Sequence, residues 1–141
     1  MSTFKYRLAS PSGGLAAEVA AEYGPHIGEG DFCLQVNRNV WMVPPSRINW
    51  RDSAWLSFGL AVHSYELAAR YPDGLIVRVS SLTFPLAHFR SEVAALAMDG
   101  WVRSEFNLPD LGLRAVPHAG SDSYSFEWGT HAQPFGDDVF H

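Results

Sequence analysis

The sequence holds a single cysteine, Cys33, and a single lysine, Lys5. One cysteine excludes an intramolecular disulfide and fits a reducing compartment. Cys33 sits in an apolar, strand-like run, so it reads as a small buried hydrophobe. Lys and Arg total ten and form no basic run, and the net charge is −5. Tight phosphate binding needs clustered cations, so nucleic acid is not expected as a partner. The same acidity argues against an anionic membrane surface. No apolar run approaches the roughly 20 residues that span a bilayer. The N-terminal MSTFKYRLASPSGG lacks the apolar centre of a secretory signal. A cytoplasmic protein without membrane contact is therefore expected.

Site motifs are missing too. The six His contain no HxH, HxxxH or HExxH pair. His88 and Glu92 stand four apart and could meet on one helical face, but zinc requires three or four ligands. No metal is expected. Neither GxxxxGK[ST] nor GxSxG occurs, so no cofactor or catalytic residue can be assigned. The loop Gly24–Gly30 (GPHIGEG) leads into a strand rather than a helix, which favours a hairpin connection over a phosphate cradle.

What is present is apolar and aromatic. The hydrophobic share is 47%, with five Trp and nine Phe, while charged residues make up only 18%. Disordered chains are polar and poor in aromatics, so a folded domain is expected, spanning 1–130 with a tail over 131–141. Five Trp suit either a core or an interface, where Trp is enriched.

Period-two alternation predicts a strand at Phe4–Ala9 and another across Asp31–Arg38. Leu15–Tyr23 fits helix by its Ala and Glu content and strand by its alternation. The close flanking turns favour a strand. Val40–Val43 is a short apolar piece stopped by Pro44-Pro45. A helix follows over Ser53–Arg70, capped by Asn49 or Asp52 and apolar around much of its girth. Leu75–Phe84 is rich in β-branched residues and predicts a buried strand. A second helix runs from Ser91, a candidate N-cap, to Phe106, with Asn107 and Pro109 as its stop. Ala94, Ala97 and Gly100 make a notch on it, which Trp41 or Trp55 could fill. Asp99 and Arg103 read as a surface ion pair at i, i+4. Leu111–Val116 and Ser123–Trp128 form a closing hairpin, and Phe135 or Phe140 could dock the tail. The fold expected is α+β: a four- to five-stranded, mostly antiparallel sheet with two helices on one face, in the order β-β-β-α-β-α-β-β.

The segment from Val43 to Phe106 (VPPSRINW…GWVRSEF) resembles the fourth domain of elongation factor G, of the ribosomal protein S5 domain-2-like fold. Pro45, the strand Val77–Val79, the Ser91-Glu92 pair and Ala94–Met98 match that family's leading Pro, V-x-V strand and alanine-rich helix. The resemblance covers about half of the chain and implies the fold. The family's domain contacts ribosomal RNA, whereas this acidic chain has no basic tip, so no functional residue is carried over.

Three functions are compatible with these features. The leading one is a non-catalytic protein-binding module that self-associates as a homodimer, with Tyr124, Phe126 and Trp128 as its contact face. The alternative is a small enzyme or small-molecule-binding protein whose pocket between sheet and helices gathers His63, Tyr65, Arg78 and His88. The third is a ribosome-associated factor.

Overall fold

A computed structural model describes residues 1–11, 13–25, 32–120 and 123–134. The chain begins with strands β1 (Ser2–Leu8), β2 (Leu15–Pro25), β3 (Leu34–Asn37) and β4 (Val40–Val43). Helices α1 (Trp50–Ala61) and α2 (Ser64–Arg70) follow, then strand β5 (Leu75–Thr83) and a short 3-10 turn at Leu86–His88. Helix α3 (Ser91–Phe106) and strands β6 (Leu113–Pro117) and β7 (Tyr124–Trp128) complete the order.

The α+β class and the five-stranded sheet agree with expectation, but the arrangement is richer. The strand order is β1-β2-β5-β4-β3, and β6-β7 form a separate two-stranded ribbon. Three of the four pairings in the larger sheet are antiparallel; β4 and β5 run parallel. Val40–Val43, read as a short apolar piece, is the strand that makes this parallel contact. Leu15–Pro25 is a strand, and its alternation has a plain cause. Leu15, Ala17, Val19 and Ala21 are buried, and Ala16, Glu18, Ala20 and Glu22 face away from that core.

The helical region predicted as one unit is two. Val62 N–H donates to Phe58 O and His63 N–H to Leu60 O, and His63 adopts φ −102° and ψ 0°. This kink lies between α1 and α2 and turns His63 inward. Asn49 is the N-cap of α1: its Oδ1 accepts from Asp52 N–H at 2.8 Å, and its Nδ2 donates to Asp52 Oδ2 at 3.1 Å. The pair satisfies helix-end donors that would otherwise lack partners. In α3 the N-cap position belongs to Arg90 rather than Ser91, and no side chain caps it. Asn107 closes the helix in the left-handed conformation, φ 53°, as a terminating Asn does.

α3 is the centre of the molecule. Every residue from Val93 to Val102 is buried, because β1, β2, α1 and β6 pack around it. Two glycines permit this closeness. A Cβ on Gly59 of α1 would lie 2.5 Å from Ala95 O and 2.9 Å from Met98 Cβ. A Cβ on Gly100 would lie 2.1 Å from Phe4 Cε1. The notch on α3 is therefore filled by Phe4 of β1, not by Trp41 or Trp55.

Candidate functional site

The four residues expected around a pocket occupy different environments. His63 is 3% exposed in the core, while Tyr65 on α2 is 88% exposed. Arg78 is half-buried on the sheet face away from α3, opposite Glu22 of β2 and Val43 of β4. His88 is exposed in the 3-10 turn, with Nδ1 3.1 Å from Gly14 O. None of the four lines either of the two clefts described below. Among the described residues, no group of three or more His, Cys, Asp or Glu is placed to hold a metal ion.

His63 has a different engagement. Its Nε2 lies 2.7 Å from Asp99 Oδ1, and Arg103 Nε donates to Asp99 Oδ2 at 3.1 Å. Asp99 is 1% exposed, so it is not one half of a surface pair. Desolvating a carboxylate is costly unless partners hold both oxygens, and here His63 and Arg103 do so. Arg103 Nη1 also approaches Asp110 Oδ2 at 3.9 Å. With His63 and Asp99 sealed from solvent, the cluster offers no surface to a substrate. It ties the α1–α2 junction to the middle of α3. The signal in the sequence was Asp99 as the lone charge between Glu92 and Arg103 in an otherwise apolar helix.

The aromatic face expected to bind a partner is turned inward. Trp128 is 4% exposed and stacks on Trp55 at 5.1 Å, with Phe58 edge-on at 5.4 Å. Phe126 stacks on Trp128 at 5.8 Å. The hydroxyl of Tyr124 bonds Ser10 Oγ at 2.9 Å and also Gly13 O. Burial pushes the nearby Tyr6 phenol above its ordinary pKa, and Tyr124 adds to the rise. The ribbon thus seals the protein's own core, and β7 presents little of this face to a partner.

What remains accessible lies elsewhere. The sheet face away from α3 carries Lys5, Glu18, Ala20, Glu22, Arg78 and Ser81, all half-buried or exposed. Lys5 stands opposite Glu18 and Glu22 opposite Arg78. Trp50 is 74% exposed, with the Arg51 guanidinium 5.5 Å from its ring centre.

Two clefts adjoin this face and share Phe84. One, of about 290 Å³, lies between the segment leading into α1 and the end of β5. The other, of about 340 Å³, is lined by Lys5, Arg7, Glu18 and Thr83 among others.

Comparison of the chain with protein-family models, curated proteins and solved structures finds no match. The likeness to the fourth domain of elongation factor G thus rests on sequence pattern alone. Among the described residues, no helix is long and apolar enough to cross a membrane.

Proposed function

We propose that this chain is a non-catalytic, cytosolic protein-binding module that self-associates as a homodimer. The observation that supports it is the free face of the five-stranded sheet. Helices and ribbon crowd the opposite side, while this one carries Ala20, Ser81, Glu22 and Arg78, with Trp41 opposite Ile76 on the same face. Antiparallel sheets commonly leave one face to water. Here the face combines small residues, cross-strand charges and the apolar pair Trp41–Ile76, and a second sheet packs on such a face about 10 Å away. The contact surface is thereby moved from β7 to the free face of the five-stranded sheet, centred on β2 and β5. The single cysteine and net acidity fit a reducing, non-membrane setting.

Sedimentation velocity tests this at about 1 to 100 µM, a range around the micromolar dissociation constant that corresponds to about −8 kcal/mol. A dimer boundary is expected, and Ala20→Arg on the free face is expected to return it to monomer. A strict monomer throughout the range overturns self-association.

A further inference from the structure

The parallel ladder between β4 and β5 ends at Val43 opposite Arg78. On the other side, β2 continues to pair with β5 through Thr83. Val79–Thr83 therefore has a strand along one edge only. Pro44 and Pro45 lead the chain away from the position β4 would have kept, since proline disfavours continued pairing. Beyond Arg78, β4 offers β5 no further ladder partner on that side.

The vacated lane is the 290 Å³ cleft. Ser46, Arg47 and Ile48 line one wall, and Ser81, Leu82 and Phe84 the other. An exposed strand edge is a template for a further strand. Many edges are blunted, and the bulge of β5 opposite Ala20/Ala21 does this in part. The wall formed by residues 45–49 changes the outcome. It bounds the cleft on the side away from β5 and so opposes open-ended sheet growth.

The rim selects the charge of an added strand. Arg47 lines the slot, and Arg51 stands exposed beside it over Trp50. Lys5 and Arg7 line the adjoining cleft beyond Phe84. Four of the chain's ten cationic side chains thus flank one short stretch of an acidic protein. The opposing charges are Asp52 in the slot, held by Asn49 at the start of α1, and Glu18 in the adjoining cleft, opposite Lys5. Trp50 offers a large exposed ring of the kind that anchors interfaces.

We propose that the slot binds an extended acidic segment of a partner protein, which adds as a strand to the free edge of β5. The proposal rests on the reading of the chain as a protein-binding module and names the partner's chemistry. Main-chain bonds to Val79–Thr83 supply affinity, and the arginines supply selectivity.

The test uses fluorescence anisotropy with a labelled peptide of about seven residues, enough to span the free edge. It alternates Glu or Asp with Val. One control replaces the acids with Lys; a second is N-methylated at alternate backbone amides. Each control is expected to bind at least about tenfold more weakly. The double variant Arg47→Asn, Arg51→Gln is expected to lose about tenfold for the acidic peptide. Asn tolerates the left-handed backbone at position 47, φ 64°. Amide NMR shifts should concentrate on Val79–Thr83. Absence of binding near 1 mM, indifference to N-methylation, or unchanged affinity in the double variant each overturns the slot. A dimer that binds no peptide defeats the slot alone, and a monomer that binds it defeats self-association alone.

Discussion

Gly59→Ala is the sharpest test of how the helical layer is built. The added methyl would sit 2.5 Å from Ala95 O, 2.9 Å from Met98 Cβ and 3.1 Å from Ala95 Cα. Comfortable separations are about 3.5 Å or more, so α1 and α3 must part by about 1 Å. The obstacle includes backbone of a helix that is itself buried, and it cannot swing aside. Overpacking of this kind costs up to about 3 kcal/mol. Alanine returns about 1 kcal/mol of helix propensity, leaving a net loss of about 2 kcal/mol. For a chain of this size that lowers the melting temperature by roughly 8 °C. Urea denaturation followed by circular dichroism gives the free energy directly, with the slope unchanged if only stability has moved. Gly24→Ala is the control, since nothing lies within 4 Å of its Cβ position. A Gly59→Ala protein as stable as its parent would refute the close crossing of α1 and α3.

Two further contrasts follow from burial. Asp99→Ala strips the partner from buried His63 and from Arg103, and should cost about 3–5 kcal/mol. Glu66→Ala, which breaks the exposed pair with Arg70, should cost less than about 0.5 kcal/mol by the same denaturation measurement. Trp128→Ala should cost about 3–5 kcal/mol and diminish the near-ultraviolet dichroism of its stack with Trp55. Trp50→Ala, at an exposed ring, should change stability by no more than about 0.5 kcal/mol.

Local chemistry made several elements legible from residues alone. The β-branched run of β5 and the span of α3 follow from pattern, and Asn107 marks the end of α3 as a terminating residue should. The strand character of β2 follows from strict alternation, which outweighed its alanine content. What stayed hidden depends on distant partners. A stripe shows that a face is buried but not against what. Thus Gly100 announced a notch without naming Phe4, some 96 positions earlier. Tyr124, Phe126 and Trp128 showed a shared apolar face, and only the packed structure reveals Trp55 and Phe58 beneath it. The kink at His63 has no Gly or Pro to announce it. The partner that His63 meets there, the Asp99 carboxylate, lies in another helix. The free edge of β5 likewise appears only once Pro44-Pro45 is seen to end a strand that pairs with β5.

The place of β5 has a bearing on how the chain is made. It is the fifth strand to be synthesised, yet it lies in the middle of the sheet, between β2 and β4. Until it leaves the ribosome, β1–β2 and β3–β4 are two hairpins with nothing to join them. Even then Phe4 and Ser2 must await α3, where Gly100 and Trp101 receive them. Cooperative assembly is therefore deferred until most of the chain exists. Distant pairings of this kind slow folding, and the nascent chain meanwhile exposes strand edges open to misassociation.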